Sequence, residues 1–223
     1  MLSFIENIGL ILQRYGAVFA QGLWNTLWLS FVSVFFGTFL GILVALGKLS
    51  RHKLLNGVVS TYIEIIRGTP ILLQLYFFWL ALPNILPSIS DTTCILSALV
   101  VNASAYIAEV IRAGIQAVDA GQREASLSLG MTERAIMTKV IFPQAIKNIL
   151  PALGNEVIVM IKQTSLASVF FFGELMTAYK QVQSTTFLAL EPLTISGLIY
   201  LFLTVTLSRI TRHFEKRMKQ NER

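Results

Sequence analysis

The stretch Leu23–Leu46, with the sequence LWNTLWLSFVSVFFGTFLGILVAL, contains no charged residue. It is longer than the roughly 20 apolar residues that an α-helix needs to cross the hydrocarbon core of a bilayer. The whole chain is similarly apolar: 54% of its 223 residues are hydrophobic, only 13% are charged, and the mean hydropathy is +0.66. This composition excludes an ordinary soluble domain and predicts an integral membrane protein.

Four further apolar stretches follow, and each is long enough for a membrane-spanning helix. We therefore predict an all-α membrane protein with one transmembrane domain over residues 1–223. Its five spans lie at about 22–47, 54–82, 92–112, 151–172 and 192–209. A charged segment over 113–150 separates spans three and four.

The positions of Lys and Arg predict the orientation, because cytoplasmic loops contain an excess of both. The loop between spans one and two and the segment after span five are basic, and the loop between spans three and four contains Arg112, Arg123, Arg134, Lys139 and Lys147. The opposite side has only Arg14 and Lys180. The N-terminus is therefore expected outside and the C-terminus in the cytoplasm. The tail Arg209–Arg223 is the expected contact with anionic membrane lipids, and no nucleic-acid-binding pattern surrounds it.

The segment before span one has apolar residues at helical spacing, namely Ile5, Ile8, Leu12, Tyr15 and Phe19. This pattern is typical of an amphipathic helix that lies in the outer membrane interface.

Residues for catalysis or metal binding are not grouped anywhere in the sequence. His52 and His213 lie in basic loop segments, and the single cysteine, Cys94, cannot form an intramolecular disulfide. The phosphate-binding pattern G-x-x-x-x-G-K-S/T is also missing, because Leu49 follows Gly47-Lys48. We expect no enzyme activity, no metal and no cofactor in this chain. If ATP drives its function, a partner must hydrolyse it.

The loop between spans three and four contains a second helical pattern after Gly121. Residues 122–131 are rich in helix formers, and Glu124 is expected in the first turn, where the helix dipole favours a carboxylate. Leu127 and Met131 are expected on the same face as Glu124, and Gly130 would allow another backbone to approach closely. From the residues alone, an ordinary loop helix and a docking helix fit equally well.

This loop resembles that of the permease subunits of bacterial ATP-binding-cassette (ABC) importers. The family reads E-A-A, three residues, G, nine residues, I, one residue, L-P. Here Glu124, Ala125, Gly130 and Pro143 match in register, whereas Ser126, Val140 and Phe142 are substitutions of similar size or polarity. The resemblance implies that the cytoplasmic helix couples to the ATPase through Glu124, Ala125, Ser126, Leu127, Gly130, Met131 and Pro143.

Further motifs extend the resemblance over nearly the whole chain. They include Glu64–Pro70 with Gln74, Ala105–Glu109, Pro143–Ala145 and Lys162–Leu166. Together they are similar to the polar amino acid branch, which includes histidine and glutamine permeases. Gln163 departs from that pattern, because many glutamine-type members have an aspartate there.

Polar residues within the spans must face protein or a water-filled cavity, because a charge in the bilayer is costly. Glu64 and Arg67 are three residues apart and are expected to pair, as are Glu109 and Arg112. Thr69-Pro70 is expected to kink span two. We predict a substrate pathway that includes Glu64, Arg67, Asn102, Glu109, Lys162, Thr164 and Ser165. In this interpretation, Lys162, Thr164 and Ser165 bind a substrate carboxylate. Asn102 fits either a ligand contact or an interhelical hydrogen bond.

The resemblance also implies the partners. These are a dimer of cassette ATPases that holds Mg-ATP, a second permease subunit that is identical or homologous, and an extracytoplasmic amino acid binding protein, all at a bacterial inner membrane. The expected substrate is glutamine or an acidic or related amino acid. Two alternatives stay open: an ATPase-independent secondary transporter or channel that uses Glu64, Glu109 or Lys162, and a membrane scaffold without transport activity.

Overall fold

A computed structural model describes residues 2–220, and these residues form helices joined by short turns, with no β-strand among them. The helices are α1 Leu2–Lys48, α2 Lys53–Gly68, α3 Ile71–Ile85, α4 Asp91–Gln116, α5 Ala120–Ser128, α6 Glu133–Ile136, α7 Phe142–Gln163, α8 Leu175–Thr186 and α9 Leu190–Gln220. A π-helical turn, Met137–Ile141, joins α6 to α7, and a 3₁₀-helix, Thr164–Phe170, follows α7. The all-helical fold confirms the predicted class.

Three of the described helices, α1, α4 and α9, are long and apolar enough to cross a membrane. The count rises to five if each of two bent pairs is one span: α2 with α3, and the helical run Glu133–Phe170 with α8. The five-span count and the side on which each end lies stay predictions. The predicted span over 54–82 is not one straight helix, because α2 and α3 meet at 108°.

Helix α1 differs from the predicted interfacial helix followed by a separate span. It is a single helix of 47 residues, about 70 Å long at 1.5 Å per residue. Ile11 and Phe19 are buried in a cluster with Leu175, Val182 and Ile195. The apolar residues of the N-terminal segment therefore pack on α8 and α9 and are not all available to a membrane interface.

The packing of α1 on α4 forms much of the core. Gly37 is needed at this contact, because a Cβ atom there would lie 2.5 Å from the Cβ atom of Ala103. Small residues allow two membrane helices to approach closely, which strengthens their van der Waals contact. The main buried cluster extends from this contact to α3, α7 and the 3₁₀-helix through Leu29, Leu75, Ile95, Leu99, Met160 and Phe170.

Candidate functional site

The loop helix predicted to dock an ATPase is α5, and it begins earlier than expected. The side chain of Asp119 accepts a hydrogen bond from the Gly121 backbone N–H at 2.8 Å and caps the helix N-terminus. Glu124 therefore lies in the second turn, and the prediction of the first turn was wrong. Glu124 and Ala125 are exposed, whereas Ser126 is buried and donates to the Gln122 carbonyl at 2.6 Å.

Gly130 ends α5 and explains why this motif has a glycine there. Its φ angle is +75°, a left-handed conformation that favours glycine. The Met131 N–H donates to the Ser126 carbonyl at 3.1 Å, and the Gly130 N–H donates to the Leu127 carbonyl at 2.9 Å. This pair of bonds is a Schellman motif. Met131 therefore lies outside the helix, which corrects its expected position on a face shared with Glu124.

The predicted close approach of another backbone to Gly130 is not seen within the described chain. No described atom lies within 4 Å of the position that a Cβ atom would occupy. The glycine is required here by its backbone angle and not by crowding.

Pro143 follows a widened helical turn that connects α5 and α6 to α7. The Phe142 N–H donates to the carbonyl of Met137, five residues earlier, as a π-helical turn requires. Proline has no N–H, and its ring clashes with the preceding turn of a regular α-helix. The π-helical turn accommodates Pro143, so that the helical run Glu133–Phe170 continues through it.

An ion pair holds α5 against α6. The Arg123 guanidinium donates to the Glu133 carboxylate at 2.6 and 3.4 Å. The hydrogen bond to this carboxylate raises the pKa of Arg123 above its ordinary value. Both side chains are about half exposed, and the pair therefore orients the segment more than it stabilises it.

Around this frame, several large apolar side chains are exposed. Leu129 is 82% exposed, and the other members of this group are Leu127, Met137 and Phe142. We call these four residues the loop patch. Large exposed apolar side chains on such a loop are typical of a protein-binding surface.

The second candidate region is the break between α2 and α3. Pro70 provides no N–H, and the carbonyls of the last turn of α2 need other donors. The Gln74 side chain is 6% exposed and fills this role. Its Nε2 atom donates to the Ile66 carbonyl at 2.7 Å, the Thr69 carbonyl at 3.2 Å and the Thr69 hydroxyl at 2.9 Å.

Asn102 of α4 contacts the same break. Its Nδ2 atom donates to Oε1 of Gln74 at 2.9 Å, which is an interhelical hydrogen bond. The side chain is 2% exposed, and its Oδ1 atom has no hydrogen-bond partner among the described residues. Asn102 therefore makes the interhelical bond and retains one buried acceptor.

Glu109 of α4 binds two arginines. It accepts from Arg112 at 3.0 and 2.8 Å, which confirms the predicted pair. Arg67 lies 3.4 Å from Glu109 and stacks over the Tyr106 ring at 5.4 Å. The predicted pairing of Arg67 with Glu64 on its own helix was wrong, because Arg67 reaches across to α4.

A cavity of about 530 Å³ lies beside this cluster and is lined mainly by charged and polar groups. Its lining includes Glu64, Arg67 and Glu109 from the predicted pathway, together with Lys48, Asn56 and Arg112. Lys48 donates to the Ser60 hydroxyl there, which links the end of α1 to α2.

The other predicted pathway residues lie elsewhere. Lys162 is exposed at the end of α7, Thr164 is buried, and Ser165 is partly exposed. The Thr164 hydroxyl donates to the Ile161 carbonyl at 2.8 Å, and that of Ser165 donates to the Lys162 carbonyl at 2.6 Å. Both hydroxyl oxygens can still accept a hydrogen bond.

Glu174 is a buried carboxylate that the sequence analysis missed. It is 0% exposed and caps α8 by accepting from the N–H groups of Met176 and Thr177, each at 2.7 Å. The Tyr200 hydroxyl of α9 donates to it at 2.8 Å. Glutamate is not among the preferred N-cap residues, and the only available signal was an acid directly after Gly173 at the end of an apolar run.

Comparison with known proteins places this architecture in one family. The model of the family described as "Binding-protein-dependent transport system inner membrane component" matches residues 37–220. The arginine transport system permease protein ArtQ of Bacillus subtilis is 38% identical over 203 residues, which cover 91% of this chain and 93% of the relative. The glutamine transport system permease protein GlnP of Escherichia coli is 36% identical, and the match covers 89% of this chain and 92% of the relative. The nopaline transport system permease protein NocM of Agrobacterium fabrum is 35% identical, and the match covers 92% of this chain and 88% of the relative.

Solved structures match over the same extent. The crystal structure of an amino acid ABC transporter with histidines has a TM-score of 0.90 and 48% identity, and the match covers 93% of this chain and 97% of that one. The inward-facing MetNI methionine ABC transporter has a TM-score of 0.76 at 21% identity, and the match covers 90% of this chain and 96% of that one. At this low identity the match supports only the fold.

Proposed function

The chain belongs to the family of binding-protein-dependent transport system inner membrane components, and on this premise we propose that it couples ATP hydrolysis to amino acid import through Glu124–Pro143. It is a permease subunit of an ABC amino acid importer, and its relatives are permeases and not enzymes. The family implies a separate ATPase, a binding protein and an inner-membrane location. The ATPase-independent transporter considered above has no support from these relatives.

The observation that carries the coupling proposal is the way in which the loop patch is attached. Both ends of α5 are capped, by Asp119 and by the Gly130 motif. The adjoining helical run, Glu133–Phe170, extends from the loop into the membrane-spanning part of the chain. A load applied to the patch therefore passes to α7 across the short turn 129–132, which the Gly130 motif and the Arg123–Glu133 ion pair hold in place.

We further propose that two permease subunits, identical or homologous, enclose the pathway. Two ATPase subunits that hold Mg-ATP would bind the loop patches of these two permease subunits and move them. The binding protein delivers the amino acid from the opposite side. Because binding free energies in such a coupled system are linked, a loaded binding protein should raise the rate of ATP hydrolysis.

For the pathway itself we propose the predicted set Glu64, Arg67, Asn102, Glu109, Lys162, Thr164 and Ser165. The free Oδ1 acceptor of Asn102 suits a substrate ammonium group. The Lys162 ammonium suits a substrate carboxylate, to which the hydroxyls of Thr164 and Ser165 donate only after releasing the carbonyls of Ile161 and Lys162. The charged cavity beside Glu109 suits a polar or zwitterionic solute.

The proposed substrate is glutamine or an acidic or related amino acid. Arginine is the second candidate, because a relative that is 38% identical is an arginine permease. All of these candidates are polar amino acids, in agreement with the polar lining of the cavity.

The proposal is tested with the complete transporter reconstituted in vesicles. Uptake of labelled glutamine, glutamate and arginine and the accompanying ATP hydrolysis are measured with the loaded binding protein outside. We expect ATP-dependent uptake of one of them and at least a tenfold loss in Lys162→Ala, with Lys53→Ala, at an exposed lysine at the start of α2, as the control. Unchanged uptake in Lys162→Ala would remove Lys162 from the pathway. Uptake without ATP would overturn the proposed function.

A further inference from the structure

Helix α9 is longer than the predicted last span. It runs from Leu190 to Gln220, 31 residues, which is about 46 Å at 1.5 Å per residue. A hydrocarbon core is about 30 Å thick. Because the span is predicted at about 192–209, the helix continues without a break for several turns into the headgroup layer and beyond it.

The apolar part of α9 has an exposed stripe along one face. Its members are Leu198, Leu201, Phe202 and Val205, which are spaced three or four residues apart and are between 39% and 70% exposed. Residues with this spacing share one face of an α-helix. An exposed apolar face on a membrane-spanning helix contacts acyl chains wherever no second subunit covers it.

The same face becomes cationic where the span ends. Arg209 follows Val205 by four residues, and Arg212 and Lys216 continue at intervals of three and four. All three side chains are exposed. We call them the cationic stripe. It extends for about 10 Å along the helix axis, which is slightly more than the depth of one headgroup layer, about 5–8 Å.

The opposite face of this part of α9 is packed on the protein. Thr211 lies against Gly154 of α7, and both Thr211 and Glu215 are only partly exposed. Glu215 follows Arg212 by three residues and borders the stripe on the side of α9 that is packed on the protein. The packing fixes the rotation of α9, so that the cationic stripe and the acyl-facing stripe point in one direction.

We propose that Arg209, Arg212 and Lys216 bind the phosphate groups of anionic phospholipids whose acyl chains lie along Leu198–Val205. The charges are complementary, because basic side chains directly beyond a membrane span attract anionic headgroups. Arginine also donates two parallel hydrogen bonds to a phosphate. The sequence predicted a lipid-contacting tail over Arg209–Arg223, of which residues 221–223 lie outside the described residues. The structure reduces this tail to three side chains in register with the acyl-facing stripe.

Continuity with the acyl-facing stripe favours a lipid over the ATPase as the occupant. A lipid that lies along Val205 necessarily presents its headgroup at the level of Arg209 and Arg212. A protein partner would instead need an acidic surface that enters the headgroup layer.

The test uses the complete transporter, purified in detergent, with equal amounts of phosphatidylglycerol and phosphatidylcholine, and native mass spectrometry to count bound lipid. Wild type should retain phosphatidylglycerol over phosphatidylcholine. Removing one cation should weaken this preference about fivefold, so Arg209→Gln with Arg212→Gln and Lys216→Gln should reduce it at least tenfold. The charge-preserving exchange Arg209→Lys, Arg212→Lys and Lys216→Arg should retain it.

A control variant with the same charge change at exposed cations farther from the span ends, Arg14→Gln with Arg134→Gln and Lys139→Gln, should keep the wild-type preference. The proposal is overturned if the glutamine variant of the stripe retains phosphatidylglycerol as wild type does. It is equally overturned if the control variant loses as much of its preference for phosphatidylglycerol, because the preference then depends only on the net charge of the protein. Loss of the ATPase subunits with unchanged lipid binding would show that the stripe docks the ATPase, and it too would overturn the proposal.

Discussion

Asn102 and Gln74 join α4 to the break between α2 and α3 through one buried hydrogen bond of 2.9 Å. Gln74 in turn satisfies the carbonyls of Ile66 and Thr69, which a regular helix would have bonded internally. The angle of 108° between α2 and α3 is therefore held by a side-chain amide and not by proline alone. A change at either amide should alter both the stability and the shape of the proposed pathway.

Gln74→Ala should lower the free energy of unfolding by about 3 kcal/mol. Each buried polar group left without a partner costs about 1–3 kcal/mol, and this change affects two carbonyls and the Asn102 amide. The measurement is denaturant unfolding of the purified permease. Asn84→Ala, which removes an exposed amide that donates to the Leu80 carbonyl at 2.7 Å, is the control. Equal losses in the two variants would contradict the role assigned to Gln74.

Gly130→Ala should destabilise the end of α5 by about 1–2 kcal/mol, because a Cβ atom is strained at a φ angle of +75°. The site is otherwise open, so steric contact contributes nothing. Hydrogen exchange of the amides in α5 should accelerate about tenfold. Gly57→Ala is the matched control, because Gly57 is equally open but lies inside α2. It should stabilise slightly through higher helix propensity.

Leu127→Asp should weaken binding of the ATPase at least tenfold while leaving the fold intact, because an exposed charge costs the free chain little but disrupts an apolar interface. Glu124→Ala should likewise weaken the coupling and so lower the rate of ATP-driven uptake. Binding is measured by co-purification and titration of the ATPase. Ser184→Asp places the same charge on exposed α8 and should change neither property. Normal binding and coupling in both loop variants would refute the coupling proposal.

Glu109→Gln should destabilise the protein by about 2 kcal/mol, because it weakens a two-point bond to Arg112 and leaves Arg67 without its carboxylate. Arg67→Ala should cost about 1 kcal/mol, since that side chain is partly exposed. Glu64→Gln should have little effect on stability. Thermal unfolding of the three variants gives the order, and a larger loss for Glu64→Gln than for Glu109→Gln would contradict the observed pairing.

Glu174→Ala should be more destabilising than any of these, at about 3 kcal/mol or more. It removes the cap of α8 and leaves buried donors on Met176, Thr177 and Tyr200. Tyr200→Phe should cost about 1–2 kcal/mol, because it removes one buried hydrogen bond. Tyr179→Phe, on α8, is the control. If Tyr200→Phe and Tyr179→Phe were equally stable, the Glu174–Tyr200 bond would contribute nothing.

Features that depend on local sequence were predicted correctly. Apolar runs of sufficient length predicted most of the long helices, and Thr69-Pro70 predicted a break in span two. Both kinds of feature depend on residues within one or two helical turns. The angle of that break was not predictable, because it depends on Gln74 and on Asn102, which lies on another helix.

Two of the errors arise from contacts with other helices, and one from a local capping residue. The spacing of Glu64 and Arg67 favoured a local pair, but α4 brings Glu109 to Arg67 and the tertiary contact prevails. The start of α5 was misplaced because the capping residue is Asp119, before Gly121. Glu174 was missed because its donors belong to α8 and α9, and no spacing within the sequence relates Glu174 to Tyr200.

The length of α1 has a consequence for the order in which the chain completes its structure. Asn7 donates to the Glu191 carboxylate at 3.2 Å, and Ile11 and Phe19 pack with Leu175 and Ile195. These partners are synthesised long after α1 has left the ribosome. Until then the N-terminal half of α1 exposes an apolar face, and contacts between such distant segments form slowly. The helix that is made before the other described helices therefore completes its packing only when α8 and α9 arrive.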